Sequence, residues 1–110
     1  MTNIFIIHGT YGSPQENWFP WLKKELEKLG YTVYVPHFPS PPNHSLTCWS
    51  NVFENYKEYL NKDSILIGHS IGCAFILGIL ERSQVAATFF VAGFLKKLSI
   101  PEFIELNKTF

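Results

Sequence analysis

Apolar residues follow two alternating rhythms along the chain. Short unbroken runs, Ile4 to Ile7, Tyr31 to Val35, Ser64 to Ile67 and Val85 to Val91, are rich in β-branched or aromatic side chains. Such runs fit strands covered on both faces, as in a parallel sheet. Between them the apolar positions take a helical spacing. Trp18, Leu22, Leu26 and Leu29 share one side of a helix, with Lys23, Lys24, Glu27 and Lys28 elsewhere on it. Asn17 is the expected cap, because a start there puts Pro20 in the first turn, where its missing N–H costs nothing. A start at Ser13, despite the Ser13-x-x-Glu16 spacing, would bury Pro20 inside the helix. Gly30 ends it. A second helix is expected over Thr47 to Leu60, with Trp49, Val52, Phe53, Tyr56 and Leu60 inward. A third, Ile71 to Leu80, is apolar almost all round and should be buried, with Glu81 and Arg82 at its end. Ser99, Pro101 and Glu102 announce a last short helix through Phe103, Ile104 and Leu106.

Strand and helix alternate throughout, which is the signature of an α/β protein. The 110 residues suit one domain with one core, and the pattern holds no repeat and no linker. The Pro36-His37-Phe38-Pro39-Ser40-Pro41-Pro42 segment reads as an extended loop. Its PxxP spacing, Pro39 to Pro42, is the kind found in loops between a strand and a helix rather than evidence for a proline-binding partner.

Composition narrows the function classes. With 46% hydrophobic and 16% aromatic residues the chain is rich enough to fold. Nine basic and nine acidic side chains give zero formal charge, without a basic patch or acidic tail. Nucleic acid and anionic membrane surfaces are therefore poor partners. The longest apolar stretch, Val85 to Leu95, is far short of the roughly 20 residues of a transmembrane helix. No basic region precedes a long apolar one at the amino terminus, so no signal peptide is read. Cys48 and Cys73 lack metal or disulfide spacing, and no metal or cofactor is expected. Reduced thiols and a cytoplasmic location follow as expectations. No GxGxxG or Walker-type motif follows a strand, which argues against nucleotide binding.

The chemistry concentrates at Gly68-His69-Ser70-Ile71-Gly72. A serine is a weak nucleophile unless its hydroxyl is aimed and a base takes its proton. A G-x-S-x-G turn between a strand and a helix does the aiming, and here Ser64 to Ile67 precedes it and Ile71 to Leu80 follows. At the mouth of that helix the backbone N–H of Ile71 faces the developing oxyanion. A second donor is expected from the loop after the first strand, His8-Gly9-Thr10, with the N–H of Thr10 or Tyr11 as candidate. Ser70 is thus the candidate nucleophile, Ile71 and Thr10 the oxyanion donors, and His8, Gly9, Gly68, His69 and Gly72 the supporting residues. Trp18, Phe19, Trp21 and Trp49 are read as core rather than as an acyl pocket, and Cys73 as packing.

Ile6-Ile7-His8-Gly9-Thr10, Asn17-Trp18-Phe19-Pro20-Trp21-Leu22-Lys23-Lys24, Gly68 to Gly72 and Val91-Ala92-Gly93-Phe94 together resemble one family. It is the small α/β-hydrolase family of retinoblastoma-binding protein nine and its YdeN-like bacterial relatives, and the likeness runs over essentially the whole chain. Membership implies an α/β-hydrolase-like (Rossmann-like) parallel sheet of about four strands flanked by helices, lacking the carboxyl-terminal strands of the full fold. It implies a serine hydrolase with a Ser-Asp-His triad acting on small acyl compounds, so the expected partner is a small-molecule acyl substrate.

Two departures qualify the resemblance. The triad order in this fold is Ser, acid, His. After Ser70 there is no histidine and no aspartate; the acids are Glu81, Glu102 and Glu105. The histidines are His8, His37, His44 and His69. His69 adjoins Ser70 and should point away from the hydroxyl, while His8 lies on the oxyanion side, so neither suits the base. The chain is therefore expected to be truncated and its activity weak or lost. The alternative is a silent interaction module that forms homo-oligomers through the open 85–91 strand edge. Secondly, a Leu-x-Cys-x-Glu motif links the vertebrate member to the retinoblastoma protein. Here Leu46-Thr47-Cys48-Trp49-Ser50 lacks the glutamate, so that partner is not supported.

Overall fold

The computed structural model describes residues 2–91. Four strands, β1 (Asn3–Ile7), β2 (Thr32–Tyr34), β3 (Ile65–His69) and β4 (Ala87–Val91), form one parallel sheet in the order β2-β1-β3-β4. Three helices lie between them in sequence: α1 (Phe19–Lys28), α2 (Leu46–Phe53) and α3 (Ile71–Leu80), with a 3₁₀ helix over Glu54–Tyr59 after α2.

The period of two along β1 divides the core. Ile4 and Ile6 face one side and pack with Phe19, Val33 and Ile67, covered by Trp18, Leu22 and Leu26 of the α1 region. Phe5 and Ile7 face the other, where Leu66, Phe38, Trp49, Phe53, Ile71, Phe75 and Ile76 close a larger cluster. Both faces of the central strands are therefore buried, which is why their sequences run apolar without alternation.

Several boundaries differ from the sequence expectation. Asn17 does not cap α1: it sits at φ 54, and Trp18 is the N-cap, without a side-chain bond. Pro20 does fall in the first turn, and Gly30 at φ 94 follows the helix end. Leu29, expected inward, is 73% exposed because the helix has ended before it. Trp21, read as core, is 64% exposed. The second helix is split: α2 starts at Leu46, capped by Ser45 Oγ accepting from the Cys48 N–H at 3.1 Å, and gives way to 3₁₀ geometry after Phe53. Trp49 and Phe53 are buried, while Val52, Tyr56 and Leu60 pack partly buried against them. Helix α3 has the expected span but is not buried all round, since Leu77 is exposed. The helix expected beyond Ser99 lies outside the described residues. No described helix is long and apolar enough to cross a membrane.

Candidate active site

In a parallel sheet every strand ends at the same edge, and loops at those ends meet. β1 and β3 are neighbours, with Ile7 opposite Gly68. The segments after them, His8-Gly9-Thr10 and Ser70-Ile71, are therefore brought together although some sixty residues separate them in sequence.

Ser70 lies between β3 and α3 at φ 56 and ψ −123, a backbone conformation that side-chain-bearing residues rarely adopt. Neighbours hold it there. Its N–H donates to the Val91 carbonyl at 3.1 Å, extending the β3–β4 ladder, and its carbonyl accepts from the Cys73 N–H at 3.0 Å in the first turn of α3. Ile71, only 1% exposed, opens α3, so its N–H has no partner inside the helix. Close approach explains two of the glycines. A Cβ at Gly9 would come within 3.0 Å of Ser70 Cβ, and one at Gly72 would collide with the carbonyl oxygen of Ile7. The helix mouth and the β1 loop are packed as closely as the backbone allows. Gly68 lies under α3 beside Ile76 and Cys73.

His8 is buried at the end of β1. The Phe38 N–H donates to its Nε2 at 2.9 Å, so that nitrogen carries the lone pair. Nδ1 then carries the proton and donates to the Gly9 carbonyl at 2.8 Å. Burial holds the ring's pKa below its ordinary value, which keeps it neutral. The Gly9 carbonyl also accepts from the Gly12 N–H at 3.1 Å. With that carbonyl pinned on one side, a trans peptide turns the Thr10 N–H to the other. Tyr11, next in this turn, is at φ 59 and 61% exposed.

His69 packs edge-on against Trp18 and Phe19, with ring centroids 5.8 Å apart in each case, and burial lowers its pKa too. Nothing in the sequence marks His44 for a role at this site. It is 3% exposed, and its Nε2 is 3.1 Å from Thr10 Oγ1. No periodic pattern marks a histidine in a proline-rich loop, so only the folded chain reveals this pair. Cys73 is buried, with its thiol pKa pushed up by desolvation. Among the described residues no three His, Cys, Asp or Glu side chains cluster as a metal site.

This geometry can be set beside known proteins. The family model described as serine hydrolase matches residues 4–108. The chain belongs to the serine hydrolase family. It is similar to the hydrolase YdeN of Bacillus subtilis (strain 168), at 34% identity over 106 residues that make up 93% of this chain and 56% of that one. It is also similar to the serine hydrolase RBBP9 of Rattus norvegicus, at 26% identity over 100 residues, 88% of this chain and 53% of that one. The crystal structure of the ydeN gene product from B. subtilis superposes with a TM-score of 0.84 at 34% identity, covering 99% of this chain and 60% of that one. This serine hydrolase chain thus has the α/β-hydrolase-like fold and spans little more than half the length of the curated relatives it matches.

Proposed function

We propose that Ser70 is the nucleophile of a hydrolase acting on small acyl esters, through a covalent acyl-enzyme. The observation that carries this reading is the backbone of Ser70, held at φ 56 between β3 and the mouth of α3. Conformations of that cost persist where the surrounding structure enforces them, and they cluster at functional sites. In the proposed step Ser70 Oγ bonds to the acyl carbon and the carbonyl electrons move onto oxygen. The N–H groups of Ile71 and Thr10 receive that oxyanion, helped by the amino-terminal end of α3. The Ser70 proton ends on the alkoxide of the ester, which leaves as the alcohol, and water then hydrolyses the acyl-enzyme, releasing the acid and restoring the Ser70 hydroxyl.

The proton on Ser70 needs an acceptor. Residues 71–110 contain no histidine and no aspartate. Both nitrogens of His8 are occupied by main-chain groups, and His69 lies against Trp18 and Phe19. Neither of the two histidines beside Ser70 is therefore free to serve this nucleophile and its oxyanion donors as the base. In well-studied triads a site deprived of its base retains about 10³–10⁴-fold over water, far below full activity.

A fluorophosphonate probe tests this directly, since a Ser70 Oγ–P bond forms as fluoride leaves. Slow labelling at Ser70 is expected, lost in Ser70→Ala and accelerated by added imidazole, which takes the proton in place of a histidine. Labelling at another residue, or none after prolonged exposure with imidazole, overturns the reading.

A second reading, self-association, is favoured by β4. Its Phe89, Phe90 and Val91 are 56%, 44% and 40% exposed, and among the described residues only β3 pairs with it. Trp18, Leu22, Ile67, Phe89 and Val91 line an open apolar trough beside it. Sedimentation that shifts to larger species with concentration supports pairing of two copies; one monomeric species throughout overturns it.

A further inference from the structure

Thr10 is held from two directions. On its amino side, His8 and Gly12 fix the Gly9 carbonyl and with it the plane of the Gly9–Thr10 peptide. On the other side its own hydroxyl meets His44 Nε2 at 3.1 Å, across 34 positions of sequence. We propose that His44 is a positioning residue for the oxyanion loop, anchoring Thr10 so that its N–H stays aimed at the acyl oxygen above Ser70. This rests on the oxyanion reading of Thr10 given above.

The anchor is itself rigid. His44 immediately precedes Ser45, the side-chain cap of α2. Its ring packs edge-on against Trp49 at 5.6 Å between centroids, and Trp49 is fully buried. The Trp49 indole N–H donates to the Pro39 carbonyl at 3.0 Å, which ties the proline-rich loop to α2. Nε2 of the His44 ring and the Thr10 hydroxyl share one hydrogen bond, whose donor is set by the imidazole tautomer. A ring fixed beside the α2 cap therefore fixes a hydroxyl whose own residue carries the oxyanion donor.

The alternative is that His44 only fills space beside Trp49. A double-substitution cycle separates the two. Thr10→Val removes the hydroxyl at almost constant volume, Thr10→Ser keeps it, and His44→Leu keeps an apolar side chain of similar bulk. Two readouts are taken on the full chain: amide exchange at Thr10 and Tyr11, and the rate of Ser70 labelling by fluorophosphonate with imidazole.

Thr10→Val and His44→Leu should each speed exchange about fivefold, the worth of one ordinary hydrogen bond. Each should slow labelling by up to about 100-fold, the scale of a displacement near 1 Å at a reacting centre. The double variant should be no worse than either single one, and Thr10→Ser should restore both readouts. Additive losses, or exchange unchanged in Thr10→Val, overturn the proposal. Should His44→Leu fail to fold, the Thr10→Val and Thr10→Ser pair still decides it. Failure of wild-type labelling would count against the hydrolase reading alone, because exchange reports the anchor without any chemistry.

Discussion

His8 sits at 1% exposure between two main-chain groups, accepting from Phe38 and donating to Gly9. Burial depresses its pKa most. The Gly9 carbonyl and, more weakly, Glu16 oppose that shift, while His37 and His69 add to it. Above the ordinary value of 6.5 both folded and unfolded chains hold a neutral ring, so its full contribution to stability is present. As pH falls below 6.5 the unfolded chain takes up a proton that the folded one resists, and stability declines down through the lowered folded pKa. His44 and His69 are shifted in the same direction by burial and act with the same sign. Urea midpoints should therefore drop between about pH 7 and pH 5, as the unfolding free energy falls by at most about 1.4 kcal/mol per pH unit for each proton. His8→Gln should flatten the profile, and a wild-type midpoint constant over this range would refute the account. The sequence showed His8 at a strand end beside the elbow; it could not show which atoms would occupy its nitrogens. That depends on Phe38, thirty residues away.

At the scale of elements, α3 is the one whose placement matters most for Ser70. Its first turn rests on the end of β1, where a Cβ at Gly72 would meet the carbonyl oxygens of Ile7 and His8. Those are backbone atoms at the end of a sheet strand and cannot readily move aside. Gly72→Ala should cost about 1–3 kcal/mol by overpacking, although alanine favours helix by about 1 kcal/mol over glycine. Gly78, in the same helix, has nothing within 4 Å of an added Cβ. Gly78→Ala should therefore stabilise, by up to about 1 kcal/mol. Opposite shifts of the denaturation midpoint check the pair; equal shifts would mean that the approach of α3 to β1 does not constrain the helix. Element types were legible because period two and period 3.6 differ clearly. Ends were less so. Asn17 has the side chain of a cap but not the backbone, and the regular pattern from Thr47 to Leu60 spans a change from α to 3₁₀ geometry.

For the whole molecule, the sheet order places β2 and β4 at the outside among the described strands. β2 is three residues long and offers little to a neighbour. β4 is five residues, ATFFV, with apolar side chains exposed, the combination that favours pairing with another chain. Phe89→Lys places a charge in the trough shared with Trp18 and Leu22. It should move sedimentation of the chain toward the monomer and raise its solubility. An association unaffected by this change would locate the contact elsewhere.

The sequence by itself determined the α/β alternation, the parallel character of the sheet and the position of Ser70 at a strand-to-helix turn. Each of these is written in local spacing: unbroken apolar runs, helical recurrence, and glycines two residues either side of a serine. Residue content alone showed that residues 71–110 hold no histidine or aspartate. The tertiary structure decided which loops meet that serine. Neighbouring strands β1 and β3 bring Gly9 against Ser70, and the loop leading into α2 brings His44 to Thr10. These pairings join residues far apart in the chain through packing and single hydrogen bonds, which leave no periodic trace in sequence.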